Sequence, residues 1–423
     1  MAQSAVPRCL SSPAALDVLI VGGGLCGLAV AISVTLSGHR ATVFEAFETI
    51  HPFGSGLHIS PNGTRLLSRW GLGNILNPVI TAPRALQIHD FNGELLASQD
   101  DYDEQVLRRY HFPLWTLHRV DLQRGLTRRA TDLGVKIHYS SRITDIDSSK
   151  ATITFENGEK RQGDLVVVAD GTWSTLRQKV LGQEIIPQTA GYTACRITVD
   201  RGQAWDSDLW DFMSSAQSRL WAGRDSYALC FPIRGGTQLS LLLITQSNVC
   251  SGSTSTSAVI DELKKLSDGW DPLLTAIFDA AQRVNKWQLV HVPAPSTIIS
   301  PEATCVLAGD CCHSVPPLLA QGLNLGLEDA AIFGHLLSHV ASPKQLSKAL
   351  ALYDRLRTER SDRLLDETCA QIDKLRESRK HSYEEPAGSS SIERDWVGSF
   401  EQEWIWSYDA YDVAEKAYAD EPF

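Results

Sequence analysis

The segment Gly22-Gly-Gly24-Leu-Cys-Gly27 carries the spacing G-x-G-x-x-G between an apolar run and a helix-like stretch. Residues of this type at this spacing bind a pyrophosphate. Gly22 permits a tight turn, Gly24 lets backbone amides approach the anion, and Gly27 allows helix and strand to pack closely. The helix that follows offers unpaired N–H groups and the positive end of its dipole. Glu45, at the end of the next strand-like run, supplies a carboxylate that can accept hydrogen bonds from an adenosine ribose.

Two further segments repeat the pattern of an apolar run ending in glycine and aspartate. The first is Gly163-Asp164-Leu-Val-Val-Val-Ala-Asp170-Gly171-Thr-Trp-Ser174-Thr-Leu-Arg177, where the turn is followed by a basic residue. The second runs from Leu307-Ala-Gly309-Asp310-Cys-Cys-His313-Ser-Val-Pro316 to Gln321-Gly322-Leu323-Asn324 and on to Glu328-Asp329. Together the three segments select FAD among the dinucleotides. Asp310 can accept a hydrogen bond from a ribityl hydroxyl. Backbone amides at Gly322, Leu323 and Asn324 can stabilise negative charge on a reduced flavin, because they open a helix.

The elements that must position these residues are legible from apolar patterning. Asp17-Val-Leu-Ile-Val21 is a short, continuously apolar strand of the kind covered on both faces. Leu25 to Leu36 reads as a helix stopped by Ser37-Gly38, and Ala41 to Glu45 as a second strand. This β-turn-α-β succession is the setting a dinucleotide fold requires. Leu122 to Leu133 reads as a helix; Gly134 to His138, Ala151 to Phe155 and Leu165 to Ala169 read as strands, with Asn157-Gly158 as a turn. Between 185 and 295 the strand-like stretches are Gly191 to Val199, Tyr227 to Ile233 and Gln238 to Ile244, a mixed or antiparallel sheet forming one wall of a substrate cavity. Ser251 to Ser257 reads as a loop, Thr304 to Ala308 as a strand and Leu323 to Val340 as a helix. The tail has a flexible interruption near Pro386 to Ser391 and an aromatic cluster at Trp396, Phe400, Trp404, Trp406, Tyr408 and Tyr411, read as a packed patch or the surface of a homodimer.

The resulting fold class is α/β. A doubly wound Rossmann-type FAD-binding domain spans 16–184, with a small insertion near 83–113, and resumes at 296–365. A mixed/antiparallel β-sheet substrate domain at 185–295 is interleaved, a leader occupies 1–15, and a helical, aromatic C-terminal region occupies 366–423.

Bulk properties narrow the partners. A net charge of −11 over 423 residues argues against nucleic acid, which needs a basic face. Nine scattered cysteines with no C-x-x-C pair read as reduced thiols in the cytoplasm, with no metal site. Val18 to Leu36 is apolar and long enough to imitate a membrane span, but its four glycines fit a strand–turn–helix better. The protein is therefore expected to be soluble, without an integral membrane segment or signal peptide.

With all three signatures in order, the sequence resembles the FAD-dependent aromatic hydroxylases, the class of para-hydroxybenzoate hydroxylase and especially its salicylate-hydroxylase-like branch. Lesser matches are Gly54-Ser-Gly56-Leu-His58-Ile-Ser-Pro61-Asn62, His118-Arg119-Val-Asp-Leu122, Phe231-Pro232, Trp270-Asp-Pro272 and Trp404-Ile-Trp-Ser-Tyr-Asp409. The chain departs from the family at Ala320-Gln321-Gly322, at Cys311 and Cys312, and at Cys195 before Arg196, where the family usually has Gly-Gln-Gly, small residues and a tryptophan. The resemblance implies that Glu45 holds the adenosine ribose, that Arg119 reaches the ribityl–phosphate region, that Asp310 binds the ribityl chain, and that Gly56 lies in the flavin's neighbourhood. It implies that Asp170 and Gly171 stand near both FAD and the path of a transient NADH or NADPH donor. The implied reaction uses O₂ to hydroxylate a small phenolic or phenolic-acid-like aromatic through a flavin hydroperoxide. Alternatives are epoxidation of an alkene or indole by the same oxygen transfer, and a non-catalytic flavin-binding redox sensor.

On the substrate side, Arg196 is read either as a bidentate ligand for an oxyanion or as half of a structural salt bridge. Tyr227 is a hydrogen-bond partner for a substrate hydroxyl or a packed core tyrosine. Pro316 shapes the turn facing the flavin ring. His58 is a site residue or a structural histidine, His313 positions its loop, and Cys311 and Cys312 pack against the strand end.

Overall fold

The computed structural model describes residues 15–50, 54–203, 207–223, 226–246, 256–281, 283–381 and 403–423. Residues 1–14 of the expected leader, the interruption at Pro386–Ser391, and Trp396 and Phe400 lie outside the described residues.

Five short strands form one parallel sheet in the order Cys305–Leu307, Leu165–Val168, Asp17–Val21, Arg40–Phe44, Lys136–His138. The continuous apolar runs follow from burial on both faces: Val18, Leu19, Ile20, Leu165 and Val166 have no solvent exposure. Helix Leu25–Leu36 is buried almost all round, packed against helices Gly322–Ser338 and Arg119–Asp132. An all-round apolar sequence suits that central place. The three strands that end in the glycine–aspartate or glycine-rich turns are adjacent in this sheet, so their C-terminal ends open onto one edge.

Several strands escaped the sequence reading, among them Ile143–Asp147 and Lys160–Gln162. Lys160–Gln162 completes an antiparallel ribbon with Thr152–Phe155 and Ile143–Asp147, on the far side of the Asn157-Gly158 turn. Helix Arg119–Asp132 begins three residues before the expected Leu122, because the His118 ring nitrogen accepts the Val120 N–H and caps it. At the other end of the Ser251–Ser257 stretch, helix Thr256–Leu266 already includes the last two residues.

The second large sheet has seven strands in the order Val284–His291, Gln188–Asp200, Gln238–Thr245, Ser226–Ile233, Gln217–Ala222, Ala85–Asp90, Leu95–Gln99. All neighbours are antiparallel except Gln217–Ala222 with Ala85–Asp90. The stretch at 83–113 thus delivers two strands to this sheet. Alternation along Gln188–Asp200 divides its side chains: Cys195, Ile197 and Val199 enter a core with Leu209, Leu263 and Phe278 from covering helices. Tyr192 and Ala194 enter another, with Tyr227, Leu242 and Leu289. The second face is also touched by Leu318, which follows Pro316 and Pro317, so it looks toward the parallel sheet's domain. Helix Leu346–His381 runs through position 366 without a break and lies along helix Gly322–Ser338.

Candidate active site

The glycine-rich turn leaves no room for larger residues. Gly22 has φ +107°, and a Cβ there would stand 2.4 Å from the Ala169 carbonyl oxygen; one on Gly27 would stand 2.0 Å from the Gly22 oxygen. Gly24 differs, since a Cβ there would meet nothing within 4 Å. It is the N-cap of helix Leu25–Leu36 and has no side-chain cap. Open space in front of uncapped amides is what a pyrophosphate fills. Glu45 stands at the rim, one carboxylate oxygen accepting the Gly23 N–H at 2.7 Å and the other the Phe47 N–H at 2.9 Å. Gln123, which the sequence did not single out, ties the same turn to helix Arg119–Asp132 by donating to the Gly23 oxygen at 2.9 Å.

Arg119 opens that helix and faces Glu45 and Asp310. Burial lowers its pKa, while the two carboxylates oppose the effect. Asp310 is surrounded by protein atoms, yet its side chain remains accessible. Burial raises its carboxyl pKa; His313 and Arg119 hold it down.

Asp170 follows the adjacent strand. Burial raises its carboxyl pKa, and Oδ1 is buried without a hydrogen-bond partner among the described residues. Such an orphan costs about 1–3 kcal/mol unless a ligand or water satisfies it. Gly171, at φ +91°, again faces open space. Arg177 locks this loop to the next: its guanidinium donates to the backbone oxygens of Thr172 at 2.7 Å, Ile185 at 2.8 Å and Cys311.

At the third strand end, His313 Nε2 lies 2.6 Å from Asp329 Oδ2. Cys311 and Cys312 are buried. Pro316 is buried and leads into the single turn Pro317–Leu319, after which helix Gly322–Ser338 begins. Among the described residues no acceptor bonds the N–H groups of Gly322, Leu323 and Asn324. The Asn324 side chain points away from them into the protein, donating to Ser60 Oγ and the Ala320 oxygen, both at 3.0 Å. Gly56 opens strand Gly56–Ile59, which pairs with Trp115–His118, and it serves that ribbon's close approach to the seven-stranded sheet: a Cβ there would stand 2.5 Å from Phe231 and 2.6 Å from Ser240.

Arg196 lies on the same side of its strand as Tyr192 and Ala194. Nη1 donates to Ser55 Oγ at 2.6 Å and the guanidinium lies 5.1 Å from the Trp287 ring centroid. Among the described residues it has no carboxylate within 4 Å. Burial, with Arg119 nearby, lowers its pKa to about 10, so it is charged at neutral pH. Tyr227 is buried among Tyr192, Leu220, Leu242 and Ile244 on the same face. His58 packs on Phe231 at 4.2 Å, and burial lowers its pKa to about 4.

A model of the FAD-binding domain family matches residues 15–368. The chain belongs to this family. The FAD-dependent monooxygenase OpS4 of Beauveria bassiana is 32% identical over 425 residues, covering 96% of this chain and 98% of its own. Hispidin-3-hydroxylase of Neonothopanus nambi is 30% identical over 370 residues, covering 82% and 86%. The crystal structure of CtdE in complex with FAD and a substrate superposes with a TM-score of 0.82 at 20% identity, covering 96% and 98%, which supports the fold. The protein is an FAD-dependent monooxygenase, and NAD(P)H and O₂ are its electron donor and co-substrate. The expected resemblance, fold class and cofactor are thereby borne out.

The monooxygenase contains a buried polar network that the sequence reading missed. Ser60 and Asn62 bond to Gln321, and Asn62 Nδ2 reaches Glu328 at 2.8 Å. Glu328 pairs with Arg357 at 3.2 Å and Arg360 at 3.0 Å; Asp329 pairs with Arg357 at 2.6 Å and accepts the Gly309 N–H at 2.7 Å. In the sequence, Gln321, Glu328 and Asp329 fell within the third motif and Asn62 within a lesser match, while Arg357 and Arg360 lie a helix away with no local pattern to mark them. Trp404 and Tyr408 stack on Arg360, so these described members of the aromatic cluster pack on their own chain. Among the described residues no helix is long and apolar enough to cross a membrane.

Proposed function

We propose that this monooxygenase hydroxylates a small planar phenol or phenolic acid, seated between the flavin and the inner face of the seven-stranded sheet. The observation that carries the reading is Arg196: a guanidinium without a carboxylate partner, beside an apolar wall that includes Leu242 and Trp287. A buried cation of that kind is satisfied by an oxyanion from outside the chain. The wall supplies a flat apolar surface for a ring.

The cofactor fits the residues present, as the open cradle at Gly24, the accessible Asp310 and the orphaned Asp170 oxygen indicate. Gly22, Gly24, Gly27 and Glu45 would hold its adenosine diphosphate end, Arg119, Asp170 and Asp310 its middle, and the amides of Gly322, Leu323 and Asn324 its ring edge, with Gly56 and Pro316 shaping the surroundings. When bound and reduced by NAD(P)H, FAD activates O₂ so that one oxygen atom can be transferred to an electron-rich carbon. Arg196 binds the substrate oxygen and favours its phenolate, which raises electron density on the ring. Tyr227 orients the substrate hydroxyl. The sheet face keeps water from the reacting atoms.

A screen of phenols and phenolic acids, following NAD(P)H consumption and product mass under labelled O₂, tests this. The expected result is substrate-dependent NAD(P)H loss with one labelled oxygen on the ring. An epoxide from an alkene or indole, or NAD(P)H oxidation indifferent to every aromatic, would overturn it.

A further inference from the structure

The C-terminal helix Ala410–Asp420 lies against the distal end of helix Gly322–Ser338, far along that helix from its flavin-facing start. There, His335 and His339 occupy successive turns on one side, and Glu415 faces them both. His335 Nε2 lies 2.8 Å from Glu415 Oε2, and His339 Nε2 lies 3.5 Å from the same oxygen. The His339 contact is the longer of the two, and that nitrogen is buried with no hydrogen-bond partner among the described residues. Three potential ligand atoms within 4.8 Å of one another converge on one point.

We propose that His335, His339 and Glu415 form a zinc site that staples the C-terminal helix to helix Gly322–Ser338, with water as fourth ligand. Two imidazoles and a carboxylate suit a borderline cation such as Zn²⁺ rather than Mg²⁺ or Ca²⁺. With metal–ligand bonds of about 2.0–2.1 Å, neighbouring ligand atoms of a tetrahedron stand roughly 3.3 Å apart. The 3.5 Å spacing already matches, and the 2.8 Å one opens by a small movement of the exposed Glu415 side chain. The rings are held for the purpose: His339 stacks on Tyr418 at 3.8 Å and His335 meets Tyr411 edge-on at 5.6 Å. Among the described residues no lysine or arginine lies within 4 Å of Glu415 to compete for it. The other close trio, Cys312, His313 and Asp329, differs because Arg357 already neutralises Asp329.

The experiment titrates the chelator-treated, flavin-loaded enzyme with Zn²⁺ by calorimetry, and with Co²⁺ to read the long-wavelength bands of a tetrahedral nitrogen–oxygen site. Melting temperature is followed in parallel. One equivalent of Zn²⁺ should bind and raise the melting temperature, and Co²⁺ should give those bands. Affinity should fall on the order of 100-fold in the double variant His335→Ala/His339→Ala and at least about tenfold in Glu415→Gln. Glu415→Gln alters one exposed side chain, so it stays informative if the double variant folds poorly. Absence of binding, or binding unchanged in Glu415→Gln with bands characteristic of thiolate ligation, would overturn the proposal.

Discussion

Arg357 Nε lies 2.6 Å from Asp329 Oδ1, and neither side chain is exposed to solvent. The other oxygen of Asp329 holds the Gly309 N–H and His313. One ion pair thus connects helix Leu346–His381 to the turn that presents Asp310. Burial alone would raise the Asp329 pKa, but His313 and Arg357 hold it well below the usual carboxylate range.

Arg357→Met leaves Glu328 and Asp329 with a buried charge uncompensated. A loss of about 3–5 kcal/mol is expected in urea unfolding at neutral pH. A loss under about 1 kcal/mol would show that the network tolerates the gap.

Asp310→Ala removes the accessible carboxylate at the end of strand Cys305–Leu307. Bound flavin after gel filtration should fall, with affinity lower by roughly tenfold to 100-fold, since a charged hydrogen bond contributes about 1.5–3 kcal/mol. Unfolding of the flavin-free protein should change little, because Asp310 is not an anchor of the buried network. Full flavin occupancy would contradict its assigned role.

Arg196→Met should separate substrates by charge. For a phenolic acid, kcat/KM should fall about tenfold to 100-fold, while a neutral aromatic should lose far less. Arg196→Lys should recover only part of the loss, because an ammonium cannot make the planar, two-pronged contact. Equal losses for both substrates would identify Arg196 as structural.

His58 gives a pH signature. Its pKa falls from 6.5 to about 4 through burial, so the unfolded chain takes up a proton before the folded chain does. The folded pKa is depressed; stability from this group is therefore full above the unfolded value and is lost as pH drops through the window to about 4. The loss has an upper limit of about 3.4 kcal/mol. Urea midpoints measured across that window should fall with acidification in the wild type and more shallowly in His58→Gln. Parallel slopes would refute the assignment.

Cavity-facing residues come from strands scattered between 85 and 291, and no local spacing marks them. Arg196 was visible as an arginine on a strand. That it has Ser55 and Trp287 for neighbours, and no acid, follows only from the register that sets Gln188–Asp200 between Gln238–Thr245 and Val284–His291.

By itself the sequence determined the local devices. The Gly22–Gly27 turn, the runs ending at Asp170 and Asp310, and the helix beginning at Gly322 depend on backbone sterics and burial period, which act between near neighbours in the chain. Tertiary structure decided which groups act on each other: Arg119 within electrostatic reach of Asp310 and Glu45, Arg357 on Asp329, and His335 and His339 on Glu415. These depend on through-space electrostatics and packing between segments remote in sequence, whose positions are set only once the sheets and helices have assembled.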